Sequence, residues 1–348
     1  MKVSGRQSAI LWAVLAAVCY GISAPVTKLL LSEVPPVLLA ALLYLGSGIG
    51  MSAAGLLRGT RIREAKVAKN ELRYVLAMIA LDIAAPILLM LGLNMTTPAT
   101  VSLINNFEIV ATVTIALVVF KEAVGKRMWI AVGLITAASV ILSVENFDGF
   151  SISPGAVFAL LACVCWGMEN NCTRMLSLKD PLQIVMIKGF GSGLGSLAVA
   201  AAVSELSANV IYVLLALLLG FVSYGLSIYF YIRAQRQLGA ARTSVYYAFA
   251  PFIGVGLSLV VFGAQSTAAF WIAFAVMSAG AYFAVSENHG HRHEHEALEH
   301  EHRHDHGDGH HGHTHEPPVE GEHNHIHVHM PVTHTHTHTP DMHHNHKH

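Results

Sequence analysis

The sequence predicts an all-α membrane protein, with about ten transmembrane helices arranged as two inverted five-helix repeats and a disordered His-rich tail behind them. Sparse charge, long apolar runs and an internal echo predict it. Of the 348 residues, 53% are hydrophobic and 12% are charged, against roughly 25% charged in an ordinary soluble domain. Charge so thin cannot coat a water-soluble protein of this length. The runs SAILWAVLAAVCYGISAPVT (8–27), VPPVLLAALLYLGSGIGMSAAGLL (34–57) and NVIYVLLALLLGFVSYGLSIYF (209–230) each reach the roughly 20 residues that cross a bilayer core. The lipid bilayer is therefore the first partner. A formal net charge of −1 offers no electrostatic footprint for nucleic acid.

Taken in order, the expected spans are 8–31, 34–57, 72–93, 98–120, 128–144, 154–175, 181–203, 209–232, 241–262 and 267–285. The first could be mistaken for a signal peptide, but no small-x-small cleavage site follows its apolar run. Lys and Arg mark the side retained in the cytoplasm. Lys2 and Arg6 precede the first span. Arg58, Arg61, Arg63, Lys66, Lys69 and Arg73 follow the second, and Lys121, Lys126 and Arg127 the fourth. Arg174 and Lys179 follow the sixth, and Arg233, Arg236 and Arg242 the eighth, whereas the alternate loops carry Glu33, Glu145, Asp148 and Glu205. Both termini are expected in the cytoplasm, at a cell (inner) membrane. Cys19, Cys163, Cys165 and Cys172 all fall within spans, where neither disulfides nor a zinc finger are expected.

The echo runs in order along the chain. AVCYG (17–21) matches CVCWG (163–167), GSGIG (46–50) matches GSGLG (191–195), and SLINNFEIVATVTIALVVF (102–120) lies over SVYYAFAPFIGVGLSLVVF (244–262). The repeats are placed at 1–144 and 145–285, with the tail at 286–348. Five spans is an odd number, so the second copy enters the membrane from the opposite side. Such inverted repeats typify secondary transporters, with the substrate site near the midplane between the halves. Gly46 and Gly50, and Gly189, Gly191, Gly193 and Gly195, form small-xxx-small patterns for close helix approach.

The duplicated aromatic-Gly of CYG (19–21) and CWG (165–167), together with VVFKEAVGKRMWIAVGLITAASVIL (118–142) and APFIGVGLSLVVFG (250–263), makes the chain resemble the drug/metabolite transporter superfamily, of the EamA type, over residues 8–285. The likeness extends to Glu122 after the fourth span, Gly133 in the fifth and Pro251 in the ninth. NNFEIV stands where that family more usually has a Pro, and Ala264 takes the second-half place of Glu122. The resemblance implies export or exchange of a small metabolite, often coupled to protons.

Ionisable groups inside a membrane are costly and usually face the bundle interior. Asp82, Glu108, Glu169 and Lys188 are the candidates. Asn105, Glu108 and Thr112 share one helical face by spacing, with Asn106 beside it. WGMENNC places Cys165, Glu169 and Cys172 on a face flanked by Asn170 and Asn171. One reading is a polar cavity in which Glu108 or Glu169 binds a proton or a cationic group and the asparagines orient a substrate. Another is that Glu169 merely locks to Lys188 in the next span. Asp82, four residues before Pro86, would satisfy backbone groups released at a kink. Cys165, Glu169 and Cys172 could also serve as soft metal ligands.

All 23 histidines lie at or beyond His289. They come in blocks. His291, His293 and His295 belong to the first, His300, His302, His304 and His306 to the second. His323, His325, His327 and His329, and then His334, His336 and His338, continue the alternation. Imidazole suits divalent Zn, Ni, Co or Cu, and a chain this polar has no means of building a core. The tail could capture a transported metal, act as a buffer or pH switch at the inner leaflet, or be a polar tract with incidental affinity. No cofactor is required by any motif, and no phosphate-cradling loop appears, so neither an enzyme nor direct ATP drive is indicated. The expectation is a secondary transporter of a small solute or ion, working by alternating access in the direction of export, with a second copy of the chain as a candidate partner. The competing expectation is a membrane-anchored metal buffer or sensor that does not transport.

Overall fold

The computed structural model describes residues 5–58, 67, 69–120, 125–146, 151–176, 179–238, 243, 246–263, 267–286, 289–294, 298–304, 323–329 and 333–338. Each of the ten expected spans contains a helical segment. The first comprises α1 (Gly5–Gly21) and α2 (Ser23–Leu30), the second α3 (Pro36–Arg58), the third α4 (Leu72–Met95), and the fourth α5 (Pro98–Ile104) and α6 (Phe107–Phe120). The fifth is α7 (Lys126–Ser143), the sixth α8 (Pro154–Arg174), and the seventh α9 (Pro181–Ala202). In the eighth, α10 (Val210–Gly220) passes through a π-helical turn, Phe221–Leu226, into α11 (Ser227–Leu238). The ninth is α12 (Ala250–Phe262) and the tenth α13 (Ala268–Val285). Among the described residues, 8 segments are long and apolar enough to cross a membrane, and Ala250–Phe262 is a shorter apolar helix. Pro154–Arg174 is long enough, with 21 residues, but its polar WGMENNC end keeps it out of that set.

Helix starts follow local chemistry. Thr97, Ser153 and Asp180 each accept a hydrogen bond from a backbone N–H of the following turn, and each is followed by proline. A side-chain oxygen there satisfies an orphan donor, and proline at the first helical position has no N–H to lose.

The pairing of segments obeys one rule in both halves. The first packs on the eighth as the sixth packs on the third. The second packs on the eighth as the seventh packs on the third, and second with seventh and fifth with tenth pair with their own counterparts. Glycines set the register. Gly46 of α3 abuts the Leu217 backbone and Gly50 the Phe221 side chain, leaving no room for a β-carbon, and Gly191 and Gly195 of α9 abut the side chains of Ile79 and Ile83 of α4. Without a hydrophobic drive between helices in lipid, such close approach supplies the packing.

Two ends of the bundle can be told apart. At one, Lys28 donates to the carbonyls of Leu93, Asn94 and Thr96, and Glu205 accepts from the Val37 N–H at 2.9 Å. At the other, Lys179 pairs with Glu71 at 3.3 Å and Val67 N–H donates to Gln183. The halves are joined through β1 (Val144–Asn146) and β2 (Ser151–Ile152), which pair antiparallel.

In the tail, β3 (His289–Glu294) pairs antiparallel with β6 (Thr333–His338), and β4 (Leu298–His304) with β5 (His323–His329). Isolated two-stranded ladders are marginal in water, consistent with a segment that has no core. His295 and His306, like Glu122 and Ala264, lie outside the described residues.

The expected unbroken helices required correction at three places. The first span breaks at Ile22 and the fourth at Asn105–Asn106, while the eighth carries the π turn. At Asn105–Asn106 the cause is visible: the Asn106 amide donates to the Leu103 carbonyl at 3.2 Å, and the Asn106, Glu108 and Ile109 N–H groups bond three residues back. A short amide side chain competing for backbone groups is the usual mechanism of such a break.

Candidate functional site

The interrupted segments converge. A small cavity of about 10 Å³, room for about one water, is walled by residues at or beside each irregularity. Gly21, Ser23 and Ala24 come from the first break, Ser102 and Asn105 from the fourth-span break, and Tyr224 from the π turn. Ala250 and Pro251 come from the start of α12, which follows turn residues Ala248–Phe249, and Leu89 from α4 just past Pro86. Irregular backbone at membrane depth is tolerated where it lines a cavity. The Ser102 hydroxyl and the Asn105 amide oxygen are buried without a hydrogen-bond partner. Tyrosine rings form the rest of the chamber's wall and surround: Tyr20 lies 6.4 Å from Tyr224 and 5.8 Å from Tyr247, and Tyr44 lies 5.3 Å from Tyr224, centroid to centroid.

Beside the chamber stands a buried polar cluster. Lys188 of α9 lies 2.9 Å from a Glu169 oxygen and 3.3 Å from Asp82. The Tyr44 hydroxyl donates to the other Asp82 oxygen at 2.9 Å. Asn170 donates to Glu108 at 2.6 Å and to the Thr112 hydroxyl at 3.3 Å. Thr173 donates to Glu169, one turn away on the same helix. Two carboxyls thus flank one ammonium. The Asp82–Lys188–Glu169 group compensates itself in large part, whereas the side-chain partner of Glu108 is a neutral amide. Buried there, Glu108 would need either a proton, which neutralises it, or a bound cation beside its ionised form.

A pocket of about 470 Å³ opens at the Lys28 end, lined by Asn94, Thr96, Pro98, Ala99, Ser258 and Phe262 among others. Helix α5 runs from this pocket, at Pro98 and Ala99, down to the chamber, at Ser102 and Asn105. Its 7 residues measure about 10 Å.

The EamA-like transporter family model matches residues 7–144 and again 153–286. The chain belongs to that family. An uncharacterized transporter of Methanothermobacter thermautotrophicus is 24% identical over 270 residues, covering 71% of this chain and 77% of the relative. A protein of known crystal structure superposes with a TM-score of 0.59 at 21% identity, over 80% of this chain and 96% of that one; at that identity the likeness concerns the fold alone. This EamA-family chain is therefore a multi-pass membrane protein of a transporter family, not of an enzyme family.

In the EamA-family fold, the residues singled out from the sequence divide into groups. Glu108 and Asn170 meet across α6 and α8, and Glu169 and Lys188 meet across α8 and α9. Asn105 faces the chamber, separated from Glu108 by the helix break. Asn106 is turned to its own backbone, and Asn171 donates to the Gly167 carbonyl at 2.8 Å and to the Thr112 carbonyl at 3.2 Å, pinning α8 to α6. Asp82 corrects the expectation of a kink-satisfying residue, because it joins Lys188 and Tyr44 instead. The soft-metal reading of Cys165, Glu169 and Cys172 finds no support: among the described residues no cluster of three or more His, Cys, Asp or Glu could hold a metal. Sequence reasoning missed Tyr20, Tyr44, Tyr224 and Tyr247. Their signal was position: Tyr20, Tyr44 and Tyr224 sit well inside apolar runs, away from the interfacial belt where tyrosine is usual, whereas Tyr247 follows closely on Arg242 and had no such signal.

Proposed function

We propose that the protein is a secondary transporter that carries a small solute across the cell membrane by alternating access, in the direction of export, with both termini in the cytoplasm. The carrying observation is the convergence of the interrupted spans on one chamber beside Glu108. Transporter sites of this kind lie near the midplane, where broken helices expose backbone and polar groups to substrate. In this reading the two halves, 1–144 and 145–285, are inverted repeats that exchange conformations around the chamber. Glu108 holds a proton or a charged solute, and Asn170 and Thr112 orient it. The open pocket at the Lys28 end is the vestibule of one access state. The alternating histidines of the tail, from His291 to His338, would hold a divalent metal on the cytosolic side and link transport to metal supply.

Alternating access can be tested without knowing the solute. Ser102→Cys, placed in a chain lacking the four native cysteines, is expected to react with a membrane-impermeant thiol reagent from either face of a proteoliposome. Labelling from one face only, together with no flux for a panel of amines, amino acids and divalent cations, would overturn the transport reading in favour of a membrane-anchored metal buffer.

A further inference from the structure

The two ladders of the tail set histidine opposite histidine. In one, His300 is opposite His327, His302 opposite His325 and His304 opposite His323. The other repeats this at three positions, from His289↔His338 to His293↔His334. Among the strand histidines, only His329, opposite Leu298, departs from the rule. The positions between the pairs hold none: Arg292 is opposite Thr335, Glu301 opposite Ile326 and Arg303 opposite Asn324. The ladders also keep a common register, since both chains advance by the same number of residues from His293↔His334 to His300↔His327. Residues of a strand alternate between faces, and opposed residues of an antiparallel pair share a face with Cβ atoms about 4.5–5.5 Å apart. All the pairs of one ladder therefore belong to one face. A slip by one residue would set histidine against Thr, Asn, Ile or Val instead. Strands this polar, with no buried face, specify their register only weakly by themselves.

We infer that the tail is a metal-closed hairpin, in which each opposed histidine pair shares one divalent ion of the Ni, Zn, Co or Cu class and the ions fix the register. The inference rests on the proposed metal binding by the tail and deepens it, naming the ligand pairs and the fold that the metal favours. Two neutral imidazoles at that spacing give two ligands to one ion, with water completing its shell. Isolated ladders are marginal in water, so the free energy of binding becomes free energy of folding. Metal shifts the strands toward their paired form. The segment then changes shape with metal supply, where a string of independent imidazoles would only fill.

The test reorders residues without changing composition, in the purified full chain titrated with Ni by calorimetry. Exchanging neighbours in β5 (His325→Ile with Ile326→His, and His327→Val with Val328→His) leaves His300 and His302 with no histidine opposite. Exchanging neighbours in β4 (Glu299→His with His300→Glu, and Glu301→His with His302→Glu) breaks the same pairs from the other strand. Made together, the exchanges restore opposed histidines at positions 299 and 328, and 301 and 326, on the other face. Either exchange alone is expected to weaken two Ni sites at least about tenfold through loss of the second, linked ligand. The combined chain is expected to regain both. A second measurement reads the fold. Nitroxides on Glu294→Cys and Thr333→Cys, which are opposed in register, are placed in a chain lacking the four native cysteines. Their spectra are expected to broaden on adding Zn and to sharpen again with a chelator. Single exchanges that titrate like the native order, a combined chain no better than either, or spectra indifferent to Zn overturn the inference and leave the metal reading of the tail standing. No Ni binding by the native full chain overturns both.

Discussion

Gly48 and Gly189 meet backbone to backbone where α3 crosses α9, and a β-carbon on Gly189 would collide with the Gly48 main chain. The contact joins the two halves at their middle, between segments that are each other's counterpart in the repeat. A backbone collision has no flexible side chain to yield.

Gly189→Ala is therefore expected to destabilise the bundle by about 1–3 kcal/mol, the usual cost of overpacking. Gly133→Ala is the control, since nothing lies within 4 Å of its β position. There the helix should gain about 0.5–1 kcal/mol from the lost glycine flexibility. Thermal unfolding of the detergent-solubilised protein reads both.

Lys188 holds two carboxyls, so Lys188→Met leaves both without their cation. Breaking a buried pair in this way is expected to cost about 3–5 kcal/mol. Adding Glu169→Gln to Lys188→Met should recover part of the loss, with a coupling of roughly 0.5–3 kcal/mol in a double-mutant cycle. Strict additivity would show that the close approach of Lys188 and Glu169 carries no net energy.

The two glutamates should separate functionally. In Glu108→Gln the amide oxygen still accepts from Asn170, so stability is expected to change by less than about 1 kcal/mol while solute flux falls at least about tenfold. Glu169→Gln removes a partner of Lys188 and is expected to lower stability as well. Unfolding midpoints and proteoliposome flux, measured on the same preparations, distinguish the patterns.

Truncation after Ser286 is expected to leave the helical bundle intact, because the bond from Arg127 to the Ser286 carbonyl, 2.9 Å long, is retained. Flux should persist. Binding of Ni or Zn to the full chain should be lost with the tail, since all 23 histidines lie beyond it. Calorimetric metal titration of both forms checks this.

Much of the architecture was legible because lipid imposes it. Apolar runs of spanning length admit few alternatives to helices, and the echoes of AVCYG in CVCWG and of GSGIG in GSGLG pointed to the glycines that set the register. The interruptions were not legible. Asn105–Asn106 sits inside a run that reads as one helix, and the break depends on the Asn106 amide turning to its own backbone. The π turn at Phe221–Leu226 has no marker in an apolar sequence. Partners across helices were legible only in part: the pairing of Glu169 with Lys188 was one of the readings the sequence offered, whereas the meeting of Glu108 with Asn170, from different halves, and the place of Asp82 beside Lys188 needed the folded chain.

At the register set by those glycines, Asp82, Glu169 and Lys188 correspond to Gly220, Ser23 and Leu43. Two equivalent halves would weigh their opposite shapes alike. Here the ion triplet has no mirror image, only small or aliphatic groups, so in the proposed alternating-access cycle the two opposite shapes would differ in energy. In that cycle the three unmatched side chains would give the molecule a preferred resting posture, and a guest would have to supply the difference to leave it.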